Sequence, residues 1–260
     1  LAELDSILAG LGGAAVAVSG GVDSLTLATL AHRLLGRAAV MHHATSPAVP
    51  AEATARVRAQ AHAQGWALDI FDAGEFADPD YRANPVNRCF FCKTNLYGAI
   101  AARSGGQILS GTNLDDLGEY RPGLEAARAH HVRHPFVEAG IDKAGVRRLA
   151  SSLGLGDLAE LPAAPCLSSR IETGLRIEAP MLAMVHEVEN YLRETWSPRT
   201  ARCRIRASGL VVELDEASLR RLSQGEREAM AAGVAALTGD RAISIASYRN
   251  GSAFVHGPGA

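Results

Sequence analysis

Three cysteines and one glycine-rich turn are the residues of this 260-residue chain best suited to chemistry. Cys89 and Cys92 form a Cys-x-x-Cys within NRCFFCK, and Cys166 lies far along the chain in PAAPCLSSRIETG. A Cys-x-x-Cys fits half of a zinc site, a redox dithiol, part of an iron–sulfur site or two packed thiols, and the pair alone does not choose among them. A closed tetrahedral zinc site needs a fourth ligand. Neither Cys203 nor any of the nine histidines stands at a convincing spacing to supply it. Three thiolates suit a four-iron four-sulfur cluster with one iron left open. Cys166 also has the surroundings of a reactive thiol. Pro165 stiffens its approach, Ser168 and Ser169 offer hydroxyl donors, and Arg170 is placed to lower its pKa or to bind an anion. Cys203, by contrast, alternates with Arg202, Arg204 and Arg206 in a strand-like run and reads as a packed strand cysteine.

The second chemical feature is SGGVDS, residues Ser19, Gly20, Gly21, Val22, Asp23 and Ser24. An apolar run precedes it and a helical pattern follows it. Two glycines let the backbone approach an anion with its N–H groups turned inward, and the helix N-terminus adds about half a positive charge. The pattern is a phosphate cradle, yet neither the lysine-bearing loop of the common NTPases nor the dinucleotide fingerprint. The Ser19 and Ser24 hydroxyls are expected to donate to phosphate oxygens, and Asp23 beside a polyphosphate makes sense chiefly through Mg²⁺. The competing reading is a tight turn in which Asp23 or Ser24 caps the helix. Further on, SGTNLDDLGEYRPG places Gly111, Thr112 and Asn113 just after a strand-like run, with Asp115, Asp116 and Arg121 available to metal, loop or phosphate. Lys93, beside Cys92, reads either as a phosphate ligand or as a solvated lysine.

These residues need elements to hold them. AAVAV (14–18), AAVMHH, WALDIF and QILSG read as buried strands. Helical patterns stand between them over DSLTLATLAHRLLG, PAEATARVRAQAHAQG, the stretch after Cys92, and GLEAARAHH. Strands alternating with helices predict an α/β fold, an open and mostly parallel sheet with helices on both faces, whose ligands bind at the carboxyl ends of the strands. After Pro162 the pattern changes to a helix over APMLAMVHEVENYLRETW, a hairpin over RCRIRASGLVVEL, one polar helix over 215–237 and a last strand, AISIASY. The expected division is residues 1–162 for the nucleotide-binding domain and 163–260 for a smaller α+β domain. Hydrophobic content of 47%, charged content of 21% and a formal charge of −2 describe an ordinary globular protein. No basic excess argues for nucleic-acid binding, and no apolar run reaches the roughly 20 residues a bilayer needs. A cytoplasmic location is expected, where thiols stay reduced.

SGGVDS resembles the S-G-G-x-D-S motif of the PP-loop ATP pyrophosphatases. The resemblance implies cleavage of ATP between its α- and β-phosphates, with ATP held by Ser19 to Ser24, Gly111 and Thr112. Taken together, SGGVDS, NRCFFCK, GTNLDD with RPG, PAAPCLSSRIETG and RIRASG with VVEL resemble the ATP-dependent sulfur transferase family LarE over nearly the whole chain. That resemblance implies adenylation of a carboxylate of pyridinium-3,5-biscarboxylic acid mononucleotide, then displacement of AMP by sulfur, in maturation of a nickel-pincer nucleotide cofactor. It further implies catalysis by Cys166 and Asp23, and a 4Fe–4S cluster on Cys89, Cys92 and Cys166. Substrate contacts would come from Ser169, Arg170, Arg204 and Arg206. An unidentified sulfur donor and a homo-oligomer complete the implied partners. Where the family pattern leads one to expect Arg-x-Arg-His-His, this chain has Arg204-Ile205-Arg206-Ala207-Ser208. Sacrifice of the Cys166 sulfur is the alternative within the family. Outside it stand a tRNA thiolase with a three-cysteine cluster, amide or nitrile formation with a structural zinc, and a nucleotide-binding module without chemistry.

Overall fold

Short runs such as AAVA and AVMHHA, buried almost throughout, have no polar face to offer solvent, so they form strands only where helices cover both sides of a sheet. The computed structural model describes residues 2–118, 121–162, 165–239 and 241–254. Its elements begin with α1 (Ala2–Ala9), β1 (Ala14–Ala17), α2 (Val22–Leu35), β2 (Ala39–Ala44), α3 (Ala51–Gln64), β3 (Ala67–Phe71), α4 (Pro79–Arg82), α5 (Arg88–Ala101) and β4 (Gln107–Leu109). There follow α6 (Gly123–Ala129), α7 (Pro135–Glu138), α8 (Lys143–Ser152), α9 (Ala179–Trp196), β5 (Ala201–Arg206), β6 (Gly209–Leu214), α10 (Glu216–Arg221), α11 (Gln224–Thr238) and β7 (Ile243–Ser247). Residues 1–78 and 87–164 make one unit, and residues 79–86 and 165–260 make the other. The expected boundary after residue 162 falls at Ala163 and Ala164, which lie outside the described residues, as do Glu119 and Tyr120.

In the first unit the strands run parallel in the order β3-β2-β1-β4. The chain moves outward from β1 through β2 to β3, then returns to the other side of β1 with β4. The β1/β4 gap is therefore the switch point at which parallel sheets bind ligands. Alternate residues of β1 face two separate cores. Val16 packs with Leu25, Leu27 and Met41 under α1, α2, α3 and α8, and Ala15 packs with Tyr97, Ile100 and Ile108 under α5 and α6. A fully buried leucine such as Leu25 contributes roughly 1.5–3 kcal/mol. Thr26 and Thr29 stay inside α2 by donating to the Val22 and Leu25 carbonyls at 2.7 and 2.8 Å. The α/β expectation holds here, with helices on both faces of an all-parallel sheet.

The second unit has a three-stranded sheet, β5-β6-β7, with an antiparallel hairpin and a parallel outer strand. Leu182, Val185, Val188 and Leu192, one face of α9, are buried with Cys203, Ile205 and Val212 of the hairpin. Two expectations change. The helix expected after Cys92 begins at Arg88 and carries both cysteines. The single helix expected over 215–237 is two, α10 and α11, because Ser223 starts a new helix with a capping box to Glu226. Among the described residues no helix is long and apolar enough to cross a membrane.

Candidate active site

The phosphate-loop residues lie where β1 runs into α2. Gly20 takes φ +84°, and a Cβ there would stand 2.7 Å from the Ala53 carbonyl oxygen, so only glycine fits against the start of α3. Two hydroxyls brace the turn: Ser24 Oγ accepts from Ser19 N at 3.1 Å and donates to the Gly21 carbonyl at 3.0 Å. Among the described residues no side chain caps α2 at Gly21, which leaves its first N–H groups available to an anion. Arg56 Nε donates to the Gly20 carbonyl at 3.1 Å. His43 braces the entry, with Nδ1 2.8 Å from the Val18 carbonyl and Nε2 2.9 Å from Thr54 Oγ1. A carbonyl only accepts, so Nδ1 carries the proton and Nε2 accepts from Thr54. Burial pushes the His43 pKa down, which keeps that neutral tautomer.

β4 delivers Ser110, Gly111 and Thr112 to the same edge. A Cβ on Gly111 would come within 2.8 Å of the Asp23 carbonyl carbon and 2.9 Å of Ser24 N, so the β4 loop packs directly against the phosphate turn. Ser110 Oγ lies 3.0 Å from Thr112 Oγ1 and 2.8 Å from His134 Nδ1. Asp23 receives Lys143 Nζ at 2.5 Å and Asn113 Nδ2 at 3.3 Å. Lys143 thus stands at the loop as the point charge its own sequence lacks. Sequence reasoning missed it because it opens α8, 120 residues beyond Asp23, and nothing local distinguishes a lysine at a helix start. Arg56 and His43 were missed because their partners also lie far along the chain, at Gly20 and at Val18; Asn113 was singled out with Gly111 and Thr112. Asp115 accepts from Lys143 N at 3.1 Å and Asp116 pairs with Arg121 at 2.8 Å, so both carboxylates shape the loop. Lys93 Nζ lies 6.0 Å from the Tyr97 ring centroid.

Cys89 and Cys92 sit one turn apart on α5, both half-buried, so their side chains share one helix face. As soft thiolate donors they suit iron–sulfur or zinc ligation. Among the described residues no group of three or more His, Cys, Asp and Glu side chains stands gathered as a metal site.

In the second unit the Cys166 thiol is exposed, but its backbone is fixed. The Cys166 carbonyl accepts from Ser169 N at 3.0 Å, Ser169 Oγ at 2.8 Å and Arg170 Nη1 at 3.1 Å. Arg170, 3% exposed, forms a two-pronged pair with Glu189 at 2.9 and 3.0 Å and also donates to the Pro165 carbonyl. Arg204 is 4% exposed, pairs with Glu213 at 3.0 Å and donates to the Ser169 carbonyl. These two arginines build the turn beneath Cys166. Arg206 is half-buried, with Glu213 at 3.4 Å and Glu172 at 3.6 Å. Cys203 is fully buried, and burial pushes its thiol up to about 12, the inert state of a packed strand cysteine.

No family model matches the chain. It is 41% identical over 184 residues to an uncharacterised protein of Synechocystis sp., covering 69% of this chain and 68% of that one. It is 30% identical over 114 residues to an uncharacterised protein of Methanocaldococcus jannaschii, covering 42% and 44%. The pyridinium-3,5-bisthiocarboxylic acid mononucleotide synthase of Lactiplantibacillus plantarum is 31% identical over 214 residues, which span 78% of this chain and 75% of that enzyme. A match of that extent puts this chain in the family of that synthase, LarE.

Proposed function

We propose that this protein is an ATP-dependent sulfur transferase that adenylates the carboxylates of pyridinium-3,5-biscarboxylic acid mononucleotide and converts them to thiocarboxylates. The observation that carries the reading is an exposed Cys166 thiol on a backbone pinned by three donors, in a chain of this family. A mobile loop serves little for aiming sulfur at a carbonyl carbon; a cysteine on a fixed turn serves well, as cluster ligand or as donor.

In the first step a substrate carboxylate oxygen attacks the α-phosphorus of ATP. The bond from that phosphorus to the bridging oxygen breaks, and pyrophosphate leaves with the electron pair. The free N–H groups at the start of α2, the Ser19 and Ser24 hydroxyls and the Lys143 ammonium are the groups that would steady the leaving charge. Asp23, 28% exposed, fits as a hard oxygen ligand for Mg²⁺, which would neutralise phosphate charge when bound. In the second step a sulfur nucleophile attacks the carbonyl carbon of the mixed anhydride and AMP departs. Cys89, Cys92 and Cys166 would hold a 4Fe–4S cluster, which when bound would supply renewable sulfur. Arg206, the least buried of the three expected substrate arginines, is the one with a face left for a substrate phosphate.

The test uses anaerobically prepared protein, ATP, a sulfide source and the biscarboxylate mononucleotide. The reading expects ATP-dependent pyrophosphate release, a thiocarboxylate product by mass spectrometry, and about four irons per chain. Zinc in place of iron, or pyrophosphate release driven by tRNA alone, would reject it. If Cys89→Ala/Cys92→Ala protein makes one thiocarboxylate while Cys166 loses its sulfur, the sacrificial route operates instead.

A further inference from the structure

The segment 79–86 leaves the first unit after Asp78, joins the second unit for eight residues, and returns at Asn87 to the helix that bears Cys89 and Cys92. Its contacts fall on the chain that follows Cys166. Tyr81, 1% exposed, places its hydroxyl 2.7 Å from Ser168 Oγ, and Ser168 has no exposed surface. Asn84 is fully buried at φ +55°, a conformation that asparagine tolerates better than most residues. Its side-chain Nδ2 donates to the carbonyls of Ile171 at 3.4 Å, Glu172 at 2.8 Å and Leu175 at 3.0 Å, and its backbone carbonyl accepts from Gly174 N at 2.9 Å. The Arg82 carbonyl accepts from Ile177 N at 2.9 Å, and the Arg82 guanidinium pairs with Glu178 at 2.5 Å.

The stretch 171–178 belongs to neither a helix nor a strand, so no regular ladder can satisfy its carbonyls. Segment 79–86 meets that need from outside. Arg170 and Ser169 fix the Cys166 carbonyl from within the turn; Tyr81 and Asn84 fix the turn itself to the body of the unit.

We propose that Tyr81 and Asn84 are positioning residues for the Cys166 turn, setting where its thiol stands during sulfur transfer. The inference rests on the reading that Cys166 acts in that transfer. Neither side chain touches substrate; each acts through Ser168 or through the carbonyls that follow it.

The experiment compares wild type, Tyr81→Phe, Ser168→Ala, the double variant of these two, and Asn84→Gly, which keeps the positive φ and removes the amide. Hydrogen exchange is read at the Ser169 and Ile171 amides, alongside melting temperature, pyrophosphate release and thiocarboxylate formation. In Tyr81→Phe and Asn84→Gly those two amides are expected to exchange at least about 10-fold faster, with β5, β6 and α9 unchanged. Thiocarboxylate kcat is expected to fall about 10-fold, with pyrophosphate release and the KM for ATP unchanged. The double variant leaves no hydroxyl buried without a partner, so it should regain melting temperature while its turn stays loose and its transfer slow. Exchange that rises evenly through the unit, an unchanged turn, or transfer restored together with stability in the double variant each overturns the proposal. Wild type that forms no thiocarboxylate sinks the sulfur-transfer reading. Wild type and Tyr81→Phe with equal activity sink this inference alone.

Discussion

Lys143 and Arg206 carry the sharpest expectations at the scale of single residues. Replacing Lys143 with Met removes the ammonium beside Asp23 and should lower pyrophosphate release on the order of 10²-fold, the cost of one preorganised charge donor. A loss below about twofold would place the charge stabilisation elsewhere. The three expected substrate arginines should separate by burial. Arg170→Gln and Arg204→Gln each break a buried pair and should destabilise by about 3–5 kcal/mol in denaturant titration. Arg206→Gln should stay within about 1 kcal/mol of wild type and raise KM for the mononucleotide. Equal stability losses at all three positions would erase that distinction. Types and spacing were enough to single out Cys166 and the glycine turn as candidates for chemistry. The partners Lys143, Glu189 and Glu213 were not legible, because an ion pair formed across 9 to 120 residues leaves no mark on local sequence.

At the scale of elements, the β1/β4 edge depends on a backbone approach that side-chain chemistry cannot replace. Gly111→Ala puts a carbon 2.8 Å from the Asp23 backbone, so the β4 loop or the phosphate turn must shift. Overpacking of this kind costs about 1–3 kcal/mol. ATP affinity should fall at least about 10-fold by titration calorimetry, more than that stability loss alone would cause at a temperature where the protein stays folded. Wild-type affinity in Gly111→Ala would mean that the two loops are not one site. The element pattern itself was readable from period and punctuation: the four strands of the first sheet and the hairpin of the second stand where alternation placed them. The α10/α11 break was also present as S-x-x-E at 223–226, a signal hidden inside a run of good helix formers.

For the whole molecule, pH should act on stability in two separate windows. His42, His43 and His134 all have pKa values pushed below the ordinary 6.5 by burial. Below that pH the unfolded chain takes up protons that the folded chain resists, so stability is full above about 6.5 and declines as pH falls toward the folded values. Glu138 is held below 4.5 chiefly by its hydrogen bond from Arg133, so its contribution is lost only at lower pH. Melting temperature should therefore drop between pH 7 and 5. The drop should be shallower in His42→Leu, because burial of the His42 ring outweighs the Asp69 carboxylate 3.3 Å from its Nδ1, so its protonation in the folded chain stays costly. A flat profile over that range would remove the buried histidines as the cause.

The sequence by itself determined the strands of both sheets and marked the glycine turn and the cysteines as candidates for chemistry, because period, glycine and cysteine act through local geometry and intrinsic chemistry. Tertiary structure alone decided which charges meet, that two of three arginines are buried in ion pairs, and that segment 79–86 packs on the chain that follows Cys166. Those are contacts between residues far apart in the chain, and burial, which fixes both their strength and their availability to a ligand, exists only after the chain has folded.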